Sequence, residues 1–172
     1  MKVLISWAWL KSRGISMRRI FIGTAVLALA LTAAMAAAKD LPAGGMTGQD
    51  VASWLQSQGY RAEIGTADNG RPKVASATQG TNFYVHFYDC KGDRCASIQF
   101  VAGFTTNGAY SLEKANDWNA ANRWVAASMD KENDPWISQD IDLSPGGTYE
   151  LLNDELKVWS DSVGRFMKTV NK

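Results

Sequence analysis

Thr81-Asn82-Phe83-Tyr84-Val85-His86-Phe87-Tyr88-Asp89-Cys90, then Lys91-Gly92-Asp93-Arg94, then Cys95-Ala96-Ser97-Ile98-Gln99-Phe100-Val101-Ala102 is the stretch whose reading decides the fold. Pairing Cys90 with Cys95 across the polar tip sets an antiparallel register. It opposes Phe87 to Ile98, Val85 to Phe100 and Phe83 to Ala102 on one face. The other face then receives Tyr88 with Ser97, His86 with Gln99 and Tyr84 with Val101. One register explains both the cysteines and the apolar alternation, so the stretch predicts a β-hairpin.

The compartment follows from the start of the chain. Met17-Arg18-Arg19 precedes an apolar run over residues 20–31 and a small-residue stretch over 32–38. A basic start, a short apolar core and an Ala-x-Ala site, Ala34-Met35-Ala36 or Ala36-Ala37-Ala38, make the plan of a secretory signal peptide. The apolar core is shorter than the roughly 20 residues of a spanning helix, although an uncleaved anchor is the rival reading. Residues 1–16 fit neither plan, which points to Met17 as the true start. The expected organisation is an N-terminal extension and cleaved signal peptide over 1–38, a linker over 39–46, and one domain over 47–170. The expected location is periplasmic or secreted, through the general secretion route, with no stable membrane span after cleavage. Cleavage leaves 134 of the 172 residues and removes five of the 18 bases and no acid, so 13 bases face 17 acids. A mildly acidic domain with scattered bases lacks the stripe that phosphate neutralisation requires, which argues against nucleic acid and anionic membrane surfaces as partners.

Two cysteines in an exported chain predict an intramolecular bridge. Two other readings stay open at this point. A metal site would need more than Cys90, Cys95 and the single histidine, His86, which give three ligands without a fourth. A redox pair would ordinarily be Cys-x-x-Cys at a helix N-terminus, where the dipole lowers the thiol pKa.

Before the hairpin, Thr47 opens a helix with Asp50 at the capping-box position, an apolar side of Val51, Ala52, Trp54 and Leu55, and an end near residue 58 before Gly59. Residues 60–66 alternate as a half-buried strand, Asp68-Asn69-Gly70 turns the chain, and Pro72 enters a shorter strand over 73–78. After the hairpin, Ser111 can cap a second helix containing Leu112, Ala115, Trp118 and Asn119. The spacing of Trp118, Ala121, Val125 and Met129 would carry that helix onward, but Asn122 offers a stop. The favoured reading is a stop near Asn122, a strand over 123–130, a polar turn and another strand over 136–143. The last helix is the clearest element: Leu152, Leu156, Trp159, Val163, Phe166 and Val170 lay one apolar stripe along it.

With this order of elements the chain resembles the YbjN family, bacterial proteins described as sensory-transduction regulators. The resemblance runs from about Thr47 to Val170. It rests on the Asp89-Cys90-Lys91-Gly92-Asp93-Arg94-Cys95 hairpin followed by Ser97-Ile98-Gln99-Phe100, on Trp118-Asn119-Ala120-Ala121-Asn122-Arg123-Trp124, and on Gly146-Gly147 before the final helix. The resemblance implies an α+β fold of the type III secretion chaperone kind, a twisted antiparallel sheet backed by helices in the order α-β-β-β-β-α-β-β-α. It also favours the strand over 123–130. It brings no catalytic residue and no cofactor, and the exported, disulfide-bearing form sets this chain apart from cytoplasmic members.

Enzymatic groups are sparse. His86 is the one base available to a Ser or Cys nucleophile, and it sits on a strand between Tyr84 and Tyr88. Asp130, Glu132, Asp134, Asp140 and Asp142 read as a turn followed by alternate strand positions, without the cleft of a glycosidase or the glycine and distal Glu of a calcium loop. The expectation is therefore no catalytic residue, no metal and no cofactor. Five tryptophans remain after cleavage, and Trp118 and Trp124 flank Asn119, Asn122 and Arg123, a grouping suited to a partner site. The function expected is a non-enzymatic exported binding or regulatory module with a protein partner, and the chaperone-like fold that the resemblance implies suggests a homodimer through the sheet or final helix. The alternative is a small extracytoplasmic ligand-binding protein or hydrolase.

Overall fold

The computed structural model describes residues 38–170, so the expected signal segment lies outside it but for Ala38. The order is α1 (Gly48–Ser57), β1 (Glu63–Thr66), β2 (Pro72–Thr78), β3 (Thr81–Lys91), β4 (Arg94–Gly103), α2 (Leu112–Ala121), β5 (Ala126–Met129), β6 (Pro135–Asp142) and α3 (Tyr149–Val170). These elements make an α+β fold in the expected order, with the strands in one antiparallel sheet arranged β1-β2-β3-β4-β6-β5.

β3 and β4 pair as their alternation requires, Val85 with Phe100 and Phe87 with Ile98. β6 extends the same dry face by setting Ile137 beside Ala102 and Ile141 beside Ile98. The helices close over that face with their apolar sides. Trp159 of α3 packs on Phe83 and Phe100 with ring centroids 5.8 and 5.7 Å apart, and Trp54 of α1 stacks on Phe100 at 6.4 Å. Further along α3, Phe166 meets Trp118 of α2 edge-on at 4.9 Å. Complete burial of a side chain such as Phe166 stabilises by about 1.5–3 kcal/mol, and the α3 stripe supplies five buried apolar residues from Leu152 to Phe166. Val170, the sixth of the expected stripe, is partly buried.

Strict alternation would put the cysteines on the face of Tyr88 and Ser97, yet Cys95 is buried with the core. The phase changes at Asp89 and Ala96, the rung missing between Tyr88–Ser97 and Cys90–Cys95. Asp89 takes φ 52°, and the Ala96 carbonyl turns away to accept the amides of Leu143 and Ser144 at 2.8 and 3.1 Å. One irregular residue in each strand turns the hairpin over without shifting its register. Beyond this point both main-chain groups of Cys95 bond to Met46, at 3.0 and 3.1 Å. They therefore point away from Cys90, which makes Cys90–Cys95 a non-hydrogen-bonded pair, the kind in which side chains stand closest. The pair forms a disulfide with Cα atoms 3.8 Å apart.

Three expectations need correcting. Residues 39–46 are not a free linker: Leu41 donates its amide to Gly147, Met46 pairs with Cys95, and both side chains are buried. Gly45 makes that approach feasible, since a Cβ there would lie 1.9 Å from the Cys95 carbonyl oxygen. The strand expected over 60–66 shrinks to Glu63–Thr66, and all four residues are exposed because the edge strand overhangs the core; Tyr60 and Ala62, just before it, do pack inward. The strand expected over 123–130 is Ala126–Met129 alone. Trp124 takes φ 73°, and Val125 donates to the Arg123 carbonyl, so these residues turn the chain instead of extending it. The second helix does stop as expected, with Asn122 at its C-cap in an extended conformation.

Closing so short a loop restricts the unfolded chain only modestly, so the bridge contributes about 2 kcal/mol. Reduction, or the Cys90→Ala/Cys95→Ala pair, is expected to lower Tm by about 6–10 °C and leave the domain folded at room temperature. Thermal melts followed by circular dichroism check this, and unfolding by mild reductant at room temperature would contradict it.

Candidate functional site

The turn after α2 gathers the five residues expected to form a partner site, and the structure divides them by task. Trp118 is buried and donates its indole N–H to the Val125 carbonyl at 2.9 Å, tying the helix to the chain that leaves it. Asn122 bonds back to the Trp118 carbonyl through its side chain, also at 2.9 Å. Asn119 serves β5: its amide accepts from the Ala127 N–H at 2.7 Å and donates to the Ala127 carbonyl at 3.0 Å. That pair of bonds imitates a neighbouring strand and blunts an edge that would otherwise offer free backbone groups. These three side chains hold the turn together.

Arg123 and Trp124 face solvent. Trp124 is 64% exposed, against 5% or less for Trp54, Trp118 and Trp159. Trp136, the fifth, is half-buried: its ring lies over Gly103, where a Cβ would come within 2.7 Å, and its N–H bonds Asp130 at 2.8 Å. Trp124 also adopts φ 73°, a left-handed conformation that is unfavourable for a bulky side chain. The Arg123 guanidinium lies 4.4 Å from the Trp124 ring centroid, within cation–π range. An aromatic plane backed by a cation, on a turn fixed by Trp118, Asn122 and Val125, can receive an apolar or aromatic group with an acidic neighbour.

The acidic residues do other work. Asp130 accepts from the Glu132 and Asp134 amides at 3.0 and 2.8 Å and from Trp136, closing the β5–β6 turn. The bond from Trp136, followed by those from the backbone, holds the Asp130 carboxyl below its usual pKa range. Asp134 accepts from the Thr106 amide at 2.6 Å. Asp140 and Asp142 project from the sheet face turned away from the helices, where they share a surface with His86. Partial burial, then the nearby Lys73 charge, lowers the His86 pKa, so its ring is neutral near pH 7. A shallow depression of about 390 Å³ beside α3 is lined by Gln58, Tyr60, Asn153, Lys157 and Asp161 among others, and His86 is not among them. Among the described residues no group of three or more His, Cys, Asp or Glu side chains is placed to hold a metal ion. No helix among them is long and apolar enough to cross a membrane.

The sequence matches the YbjN family, described as "Putative bacterial sensory transduction regulator", over residues 47–172. The chain belongs to the YbjN family. The match covers the whole of the folded region from the α1 capping residue Thr47 onward, and the family description is that of a regulator and names no reaction. Among curated proteins no relative matches by sequence.

Sequence reading grouped the five residues because aromatic and polar types recur there. It could not separate Trp118 from Trp124, since the chain reversal that buries one and exposes the other has no residue signature. The separation has a measurable consequence. Asn119→Ala is expected to cost about 1–2 kcal/mol, by stranding both Ala127 backbone groups at the sheet edge. Trp124→Ala should change stability by no more than about 0.5 kcal/mol. Urea unfolding of both variants checks the ordering, and a Trp124→Ala loss larger than that of Asn119→Ala would contradict it.

Proposed function

We propose that this YbjN-family chain is a non-enzymatic exported regulator that acts by binding a protein partner, with Arg123 and Trp124 as the principal contact. The observation that carries the reading is the exposed Trp124, held in a left-handed conformation on a turn whose other side chains are internally bonded. Fixing the turn in advance lowers the ordering cost of binding, and Trp and Arg are the residue types that most often dominate interface energy. The family description as a regulator supports the same reading. Export is supported by the basic, apolar and small-residue order of residues 17–38, and the Cys90–Cys95 bridge suits an oxidising compartment.

The test uses the protein as its host processes it, captured with its partners from the host's envelope extract and quantified by mass spectrometry. The wild type is expected to retain one protein in stoichiometric amount, and Trp124→Ala to retain about 30-fold less, the loss that follows from removing a contact worth about 2 kcal/mol. Equal retention by folded Trp124→Ala and Arg123→Ala variants would overturn the proposal. So would a small molecule, in place of a protein, co-purifying in native mass spectrometry.

A further inference from the structure

Residues 39–46 run as a strap between the start of α3 and the β3–β4 tip, and the strap is bonded at both ends. At the tip, Met46 pairs with Cys95. At α3, Leu41 donates its amide to the Gly147 carbonyl at 2.8 Å, Asp40 bridges Thr148, and the Lys39 carbonyl accepts the Tyr149 amide at 2.9 Å. The approach is close enough that a Cβ on Gly147 would lie 2.8 Å from Leu41 Cδ1. Among the described residues, main-chain bonding to the domain begins at Lys39, and Ala38 before it is exposed.

The Lys39 main-chain nitrogen rests on the Glu150 carboxylate, 3.2 Å from one oxygen and 3.0 Å from the other. A peptide nitrogen has one hydrogen to share between those two acceptors. An ammonium has three hydrogens and a positive charge, and its bonds to a carboxylate are about twice as strong as neutral ones. Among the described residues no cation lies within 4.0 Å of Glu150: the ion pair there is Arg94–Asp50, and the Lys39 side-chain nitrogen stands over the Tyr149 ring instead, 4.9 Å from its centroid. Glu150 occupies the first turn of α3, where the helix dipole favours a carboxylate. Lys39 is also the residue that follows Ala36-Ala37-Ala38, one of the two Ala-x-Ala sites in the sequence.

We propose that signal peptidase cuts between Ala38 and Lys39, and that Glu150 captures the α-ammonium this cut creates. The step rests on the export proposed above. Hydrolysis of the Ala38–Lys39 peptide bond consumes one water: its oxygen goes to the Ala38 carbonyl carbon, which leaves as a carboxylate on the signal segment, and its two hydrogens go to the Lys39 nitrogen, which becomes an ammonium. The strap keeps its path after the cut, because the bonds of Lys39 to Tyr149, Asp40 to Thr148 and Leu41 to Gly147 use no atom before Lys39. A cut after Ala36 would instead leave Ala37 and Ala38 as a tail and put the ammonium two residues away from Glu150. Processing at Lys39 thus turns the new chain end into the ion pair that closes the strap opposite Met46 and Cys95.

The test is N-terminal sequencing and intact mass of the protein recovered from its host's envelope, followed by acylation of its α-amine near neutral pH. The expected first residue is Lys39. Any other cut, such as one before Ala37, would overturn the proposal and leave export standing, whereas a chain that still begins at Met1 or Met17 would overturn both. Glu150→Gln, shown by circular dichroism to be folded, should acylate at the α-amine about threefold faster than the wild type, the scale of an exposed ion pair. Equal rates in the two proteins would overturn the capture by Glu150.

Discussion

Opposing Val85 to Phe100 decides which side of the sheet is dry, and the other packing decisions follow from it. Side chains alternate with a period of two, so a slip of one residue would carry Phe83, Val85 and Phe87 into water and bring Tyr84, His86 and Tyr88 under the helices. The register is held at two places along the pair. Aromatic rings from α1 and α3 close on Phe83 and Phe100 in the middle, and the Cys90–Cys95 bridge closes the tip. The bridge reaches the buried side only because Asp89 and Ala96 reverse the phase together. That reversal also frees Cys95 to pair with Met46, which draws the segment before α1 into the domain.

The elements most legible in the sequence were those whose burial follows from periodicity alone. The α3 stripe and the β3–β4 alternation each specify a face without reference to the rest of the chain. The pairing of Thr47 with Asp50 is similarly local, and both capping bonds form at 3.0 Å. Features that depend on three-dimensional neighbours were not legible. Residues 60–66 alternate well enough to suggest a half-buried strand, but nothing local says that the strand lies at the sheet edge beyond the core. Asn119 looked like a binding residue because it stands beside tryptophans; its partner, Ala127, is eight residues away and becomes a neighbour only after the turn. The phase change at Asp89 leaves one local trace, a carboxylate on the parity of Phe83, Val85 and Phe87, whereas the matching change at Ala96 leaves none.

The division of labour between the faces gives the functional account its physical basis. Trp54, Trp118 and Trp159 belong to the core, and the acidic residues around Asp130 and Asp134 close turns. What is left over is a fixed exposed Trp124 at one turn and a charged, half-polar sheet face. The Trp124 turn is the surface on which the proposed partner contact would fall. Membership of the YbjN family, described in regulatory terms, agrees with that arrangement.

The central register is tested most directly by nuclear Overhauser effects in the isotopically labelled protein. The account predicts backbone contacts at the Val85–Phe100 and Phe87–Ile98 rungs, with the Trp159 ring close to Phe83 and Phe100. Contacts that place Val85 opposite Gln99 or Val101, or the Trp159 ring against Tyr84 and His86, would contradict it.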